Sequence, residues 1–484
     1  MSEQQSSLTK RTIRGVAWTL PTTLVSRIIG LVGTLVIARY LNPAEYGEVM
    51  AAAIATLTAF GISTLGVGIY LLSHRDLTRS ESFHATVWFL GTGAVALGSV
   101  WLLSAPLGRW LEAPSMGAYM PLLVGSAFLD RVVFLPERML IRKLRFRWLS
   151  IARALGELAF TGVSLGSAIA GYQAWAIVHG FVARAVLRTI LIIPAVGWRE
   201  WLEPHRLQLA TLKKIISYGV TISAAGVATF LMRRWDNLLV SAFYGNAVMG
   251  AYNYAYNLAD TPAVAIGEQM SDVVAASFPH AEGEKRQAAL VRACTMVSLI
   301  MFPLAFGLGA VGETVVAAFF DAKWASVGTM LVLLAILSVP RPLAHIIHAY
   351  FMACHRPRVV LIQEWISLAI LMASIASLGQ VDIRWTCAAV GVSFVLRTLI
   401  LMWLVRKIDG IPMHHFLLPL VRPFVASALM VVAILALRPA LGGVSIYARL
   451  AIEVALGAVV YLLGAVVIFR DQARELIRLL RSAR

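Results

Sequence analysis

Runs of about 20 apolar residues recur along the whole chain, with only short polar breaks between them, and this recurrence decides the class of fold. A run of that length can cross a bilayer only as an α-helix, because each backbone N–H and C=O must find its partner within the segment. Fourteen such runs fall near 15–40, 46–72, 83–104, 117–136, 148–170, 174–194, 215–243, 247–277, 290–311, 326–353, 359–379, 385–405, 416–437 and 446–469. The expected fold is an all-α integral membrane protein with fourteen transmembrane helices. Of the 484 residues 59% are hydrophobic and 14% charged, which no soluble domain of this size sustains. No connecting stretch exceeds roughly 25 residues, so an extramembrane catalytic domain is not expected. The first run is too long for a signal-peptide core and lacks a small-residue cleavage pattern, so it reads as the first span.

A net charge of +17 would suit a nucleic-acid partner, but its placement points elsewhere. Lys10, Arg11, Arg14, Arg75, Arg79, the run from Arg138 to Arg147, Arg199, Arg206, Lys213, Lys214, Lys285, Arg286, Arg292, Arg356, Arg358, Arg406, Lys407 and the tail arginines fall on one side of the predicted membrane. The other side has Arg39, Arg109, Lys323, Arg384, Arg438 and Arg449. Basic loops stay in the cytoplasm, so both termini are expected there and no nucleic-acid partner is implied. The segment from Pro136 to Leu149 mixes five basic residues with Met, Leu, Ile, Phe and Trp, and it should lie against anionic membrane lipids, as should the tail.

Cys294, Cys354 and Cys387 are widely spaced and odd in number, which argues against a disulfide framework or a zinc site. Arg341, His345 and His348 share one helix face; without a third ligand nearby, this reads as a polar face rather than a metal site. No metal and no cofactor is expected.

The first run, inside Arg14 to Gly47, has Arg27 near its middle. A central arginine costs about 3 kcal/mol on insertion scales, so it must face water, a counter-charge or a ligand. Thr19, Thr23, Arg27, Gly30 and Thr34 form a polar, small-residue stripe on one helix face. Two readings follow: the stripe lines a cavity, or it packs against another helix with Arg27 paired to a carboxylate. A shift of 203 residues lays Leu35–Val49 over Leu238–Tyr252 with Gly47 and Gly250 in register, and brings Arg27 within one helical turn of Arg234. The spans then parse as six, six and two, with boundaries 1–200, 201–408 and 409–484. Repeats of this kind put a substrate path at the interface between halves.

The first span ending in ARYLNPAEYGEV, the stretch RRWDNLLVSAFYGNAVMGAYNYAYNLADTP from Arg233 to Pro262, FFDAKW at Phe319 to Trp324 and LRFRWL at Leu144 to Leu149 together resemble the Wzx-type oligosaccharide flippases. These are the polysaccharide-transporter branch of the multidrug/oligosaccharidyl-lipid/polysaccharide exporter superfamily. The resemblance covers essentially the whole chain. It implies two six-helix bundles around a V-shaped central cavity, two further C-terminal helices and a bacterial inner-membrane location. The implied activity is transfer of a polyprenyl-diphosphate-linked oligosaccharide, of undecaprenyl type, from the inner to the outer leaflet. Implied partners are a polysaccharide polymerase and a chain-length regulator.

Ten arginines and no lysine fall in or at the edges of spans: Arg27, Arg131, Arg153, Arg184, Arg188, Arg233, Arg234, Arg341, Arg397 and Arg422. Arginine keeps its charge in a low dielectric and matches phosphate oxygens with a planar fork. Local pairs are expected first for Arg153 with Glu157, Arg233 with Asp236 and Arg397 with Glu364, and Arg422 should snorkel. Arg184 and Arg188, one turn apart, repel unless an anion or a carboxylate comes between them. Arg27, Arg184, Arg188, Arg234 and Arg341 are the candidates for a diphosphate, against structural pairing. Asp260 and Asp236 are the candidates for a coupling proton or sodium ion, with an arginine partnership for Asp260 as the alternative. Trp18, Trp235, Tyr252 and Tyr254 are the aromatic candidates for sugar contact. A multidrug exporter would want acidic rather than arginine-rich spans, and a membrane-embedded polymerase or ligase would want a larger outer loop.

Reporter fusions after Arg109, Lys323 and Arg438 are expected to read as periplasmic. A cytoplasmic signal at Lys323 would overturn the span count before it.

Overall fold

The computed structural model of the chain describes residues 30, 33, 36–73, 77–143, 145–277 and 283–468. Arg27 and Trp18, most of the predicted first span and the basic tail lie outside these residues, as do the side chains of Glu268 and Asp272. Every regular element described is helical. The chain forms two compact units, with described residues up to Gly250 in one and from Ala251 in the other. The stretch 209–250, which the 6 + 6 + 2 parse assigns to the second bundle, thus groups with the first.

The first unit contains α1 (Pro43–Ile62), α2 (Val67–Ser73), α3 (Arg79–Leu102), α4 (Ser104–Trp110), α5 (Met116–Arg142), α6 (Phe146–Ile169), α7 (Trp175–Ile192) and the first arm of α8 (Leu209–Ser277). The second arm of α8 leads into α9 (Gly283–Phe319), α10 (Ser326–Ile336), α11 (Pro340–Ala353), α12 (Pro357–Leu378), α13 (Ile383–Asp409), α14 (Met413–Leu437) and α15 (Ile446–Ile468). Among the described residues, eight helices are long and apolar enough to cross a membrane, or ten if two bent pairs each count as one span. The chain is therefore a multi-pass membrane protein. The predicted runs 46–72 and 148–170 are helical without meeting that measure, since α1 carries Glu45 and Glu48 and α6 carries Arg147, Arg153 and Glu157.

Helix boundaries follow local chemistry. Asn42 caps α1 by accepting from Ala44 N at 3.1 Å, and Pro43 occupies the first turn, where its missing N–H costs nothing. Thr78 and Glu81 form a reciprocal capping box at the start of α3. Glu48, on α1, accepts from Ser115 N at 2.8 Å beside the start of α5. Helix α8 breaks at Gly245, whose φ of 78° favours glycine, between the runs predicted for the seventh and eighth spans. The predicted run 326–353 is a pair of helices, α10 and α11, bent by 42° where Pro340 and Pro342 flank Arg341.

The predicted second span also breaks. Between α1 and α2 the backbone passes through Leu65 at φ 44° and Gly66 at φ 74°, which strands carbonyls at membrane depth. Arg131, on α5, satisfies them: Nη2 donates to Ser63 O at 2.7 Å, Nη1 to Phe60 O at 3.2 Å and to Ser63 Oγ at 2.8 Å. Its Nε donates to Phe89 O at 2.6 Å, and a further bond from Nη2 goes to Thr92 Oγ1 at 3.2 Å. The guanidinium also lies 4.0 Å from the Phe89 ring centroid. Gly93 is where α3 makes room, since a Cβ there would come within 1.8 Å of Arg131 Nε.

The two glycines aligned by the 203-residue shift meet in space. A Cβ on Gly47 would lie 1.9 Å from Asn246 O, and one on Gly250 would lie 2.3 Å from Pro43 O. Since 43 and 246 are themselves equivalent under the shift, the contact is reciprocal, as a two-fold relation between repeats requires.

Arg131→Met should remove five buried hydrogen bonds, leaving Ser63 O with Thr92 Oγ1 and Phe60 O with Ser63 Oγ, and destabilise the protein by about 3 kcal/mol. Gly93→Val should do similar damage by displacing the guanidinium. Melting of purified protein in detergent measures both, and wild-type melting of Arg131→Met would refute the clamp.

Candidate functional site

In the first unit, α5, α6 and α7 bring Asp130, Glu137, Glu157, Arg153, Arg184 and Arg188 together. Arg188 Nη1 donates to Asp130 at 2.6 Å and Nη2 to Glu137 at 2.6 Å. Glu137 also accepts from Arg153 at 3.1 Å, and Arg184 reaches Glu157 at 3.4 Å. Carboxylates therefore separate the two like charges at 184 and 188. The expected Arg153–Glu157 pair does not form, because the buried Glu137 draws Arg153 across to α5 while Glu157 turns to Arg184. Gly156 lets α7 approach, as a Cβ there would lie 2.9 Å from Arg188 Cγ. Arg184 also lies 5.0 Å from the Phe181 ring centroid. The three arginines and three carboxylates form a neutral cluster.

The first arm of α8 carries Arg234, Trp235 and Asp236. Arg234 is half-buried and forms no salt bridge with a described carboxylate. Trp235 is exposed, and its Nε1 donates to Thr58 Oγ1 at 3.2 Å. Asp236 is fully buried and its Oδ1 accepts from both the backbone and the side-chain nitrogen of Asn237 at 2.9 Å.

In the second unit, Arg341 is 2% exposed and donates from Nη1 to Asp260 Oδ1 at 2.7 Å. Its guanidinium lies 4.6 Å from the Tyr256 ring centroid and 4.2 Å from that of Phe394. Arg341 Nε and Nη2 meet no acceptor among the described residues. A buried cation with two unspent donors can take a bidentate anion. Asp260 is thus an arginine partner, the alternative foreseen for it. Arg397 pairs with Glu364 at 2.6 Å, as expected from sequence. Tyr252 and Tyr254 are buried: Tyr252 packs on Tyr256, while Tyr254 lies 4.7 Å from Trp324 and 5.6 Å from Phe320 between ring centroids. Both are buried among other rings in this structure. His345 and His348 serve separate partners, with His345 Nδ1 2.8 Å from Arg341 O and His348 Nε2 2.7 Å from Glu364 Oε1.

Comparison with known proteins fits these features. Residues 36–328 match the family model described as "Polysaccharide biosynthesis protein". The chain belongs to this family. Relatives of this polysaccharide biosynthesis protein include the lipopolysaccharide biosynthesis protein WzxC of Escherichia coli, 25% identical over 72% of this chain and 71% of that protein. The teichuronic acid biosynthesis protein TuaB of Bacillus subtilis is 23% identical over 98% of this chain and 99% of its own length. The succinoglycan biosynthesis transport protein ExoT of Rhizobium meliloti is 23% identical over 98% of this chain and 96% of its own. In fold the chain is similar to the lipid II flippase MurJ in an inward closed conformation, with TM-score 0.76, 16% identity and coverage of 93% of this chain and 98% of that one. A multidrug-resistance MATE transporter of the MOP superfamily, inward-facing, aligns with TM-score 0.62 at 15% identity over 80% of this chain and 94% of its own. The Wzx-type resemblance read from the sequence is borne out.

Asp260→Asn should leave Arg341 buried without a counter-charge and cost about 3–5 kcal/mol. The double variant Asp260→Asn with Arg341→Gln should recover much of that loss in a melting cycle. Additive losses would mean that the two side chains are not energetically coupled.

Proposed function

We propose that this family member is a flippase for lipid-linked saccharides, carrying a polyprenyl-diphosphate-linked precursor of a surface polysaccharide from the inner to the outer leaflet of the bacterial inner membrane by alternating access. The observation that carries the reading is Arg341, a buried guanidinium with Nε and Nη2 unspent. Phosphate oxygens fit such a fork, and arginine holds its charge where lysine would lose it. Arg234 and Arg27, the further arginines read from the sequence as diphosphate candidates, would share in holding the headgroup, with Trp18 and Trp235 available to sugar rings. The named roles of WzxC, TuaB and ExoT in polysaccharide biosynthesis support this class of cargo, and the fold likeness to a lipid II flippase is compatible with it. Both termini would be cytoplasmic, a polymerase and a chain-length regulator would be the partners, and an ion gradient would drive transport.

A multidrug exporter has the fold alone in its favour. Its cationic cargo needs free carboxylates, whereas Asp130, Glu137, Asp260, Glu364 and Glu453 are each engaged by arginine.

In proteoliposomes, a fluorescent undecaprenyl-diphosphate saccharide should gain access to the opposite leaflet with wild-type protein. Arg234→Gln and Arg27→Gln should each weaken substrate binding by about 2–4 kcal/mol with normal accumulation in the membrane, and Arg341→Gln should weaken it as much when compared with Asp260→Asn in the paired double variant, which removes the stranded carboxylate. Lysine at these positions should rescue only partly. Wild-type transport by all three glutamine variants would overturn the diphosphate proposal.

A further inference from the structure

His348 stands one turn beyond His345 and two beyond Arg341 on α11, and it reaches a different set of partners. Its Nε2 lies 2.7 Å from Gln363 Oε1 and 2.7 Å from Glu364 Oε1, both on α12. Gln363 is oriented in turn by donation from its Nε2 to Ser367 Oγ at 2.6 Å. Two acceptors on one ring nitrogen make Nε2 the hydrogen-bearing atom of the neutral imidazole. Nδ1 then keeps the lone pair that a further proton would take.

Glu364 is ready for the charge that this proton would bring. Its Oε1 already accepts from Arg397 Nη2 at 2.6 Å as well as facing His348, while Oε2 meets no donor among the described residues. The Glu364 side chain is 0% exposed, that of Arg397 2% and that of His348 16%, so the histidine is the end of the network open to an arriving proton. An isolated imidazolium is costly in hydrocarbon. One held directly against the Glu364 carboxylate is stabilised by that contact while Arg397 stays paired, and the net +1 that results favours an anion nearby.

The other elements packed on α11 leave this assignment intact. From α8, Asp260 is committed to Arg341, and the side chains of Glu268 and Asp272 lie outside the described residues. From α9, Arg286 reaches Cys354 at 3.4 Å. From α13 come Arg397 and Asp409, the latter paired with Arg356 at 2.8 Å and facing Tyr350, and from α12 comes Glu364.

We propose that His348, Glu364 and Arg397 form a proton-binding site, in which His348 Nδ1 takes the proton beside the Glu364 carboxylate and the trio goes from neutral to a net charge of +1. Its use in transport rests on the flippase reading. Arg341 and His348 are seven residues apart on one helix face, roughly 10 Å along the axis. A proton on His348 therefore favours an anionic headgroup at Arg341, and by reciprocity the headgroup favours the proton. A proton gradient would then bias substrate occupancy.

The test uses the full chain in lipid nanodiscs with nitrogen-15-labelled histidine. The ring signal lost in His348→Gln should change protonation state with pH, and Glu364→Gln should alter that change. His348→Asn and His345→Gln provide the assignment should His348→Gln not fold. A His348 that stays neutral throughout, or whose titration ignores Glu364→Gln, would overturn the site. So would a sodium-dependent shift of that signal at fixed pH without a proton titration, which marks a metal-cation site. With undecaprenyl diphosphate as probe, wild-type binding should tighten about 5- to 10-fold from pH 8 to pH 6, and His348→Gln should abolish the change. Equal pH dependence in both proteins would overturn the coupling. Failure of the probe to bind at any pH, with a normal His348 titration, would count against the flippase reading while upholding the proton site.

Discussion

Peptide groups at membrane depth have no water to fall back on, and the arrangement of the first unit follows from that constraint. The α1–α2 break exposes carbonyls that a continuous helix would have satisfied internally. Arg131 spends all five of its N–H donors on that break and on the neighbouring turn of α3. The buried charge is tolerated because carbonyl dipoles, hydroxyls and two aromatic faces surround it, so no carboxylate is needed. One side chain thereby ties α5 to the break and to α3, and Gly93 is fixed as glycine in consequence.

Several other span arginines are balanced by carboxylates. In the α5–α7 cluster three arginines meet three carboxylates, which makes it a staple between helices more than a receptor for a polyanion. Arg397 with Glu364, and Arg438 and Arg449 with Glu453 and Glu313, extend the same rule into the second unit. Arg341 departs from it in a limited way. Its charge is balanced by Asp260, but it leaves Nε and Nη2 unused, a side-by-side pair suited to a bidentate anion, where Arg184, Arg188 and Arg397 each leave Nε alone.

Much of the fold was legible because hydropathy and backbone chemistry are local. The predicted limits 215–243 and 247–277 bracket Gly245, and the prolines around Arg341 mark the α10–α11 bend. The Arg397–Glu364 pair was legible because adjacent antiparallel spans put the two at similar depth. The Arg153–Glu157 pair failed because spacing along one helix says nothing about a deeper carboxylate on the next, and Glu137 had the stronger need for a cation. Tyr252 and Tyr254 look in sequence like exposed aromatics of a binding surface, but only tertiary packing reveals the rings that cover them. Arg131 had a signal that spacing arguments passed over: a glycine- and serine-rich interruption inside an apolar run implies unpaired carbonyls and hence a multidentate donor elsewhere.

The reciprocal contact of Gly47 and Gly250 has the symmetry of a homodimer interface, in which each copy offers the same patch to the other. Here one polypeptide supplies both copies. A side chain added at either glycine intrudes on the same narrow crossing, so the two positions, 203 residues apart, are sterically a single locus. Neither half can be redesigned there without the other, however far the two sequences drift elsewhere.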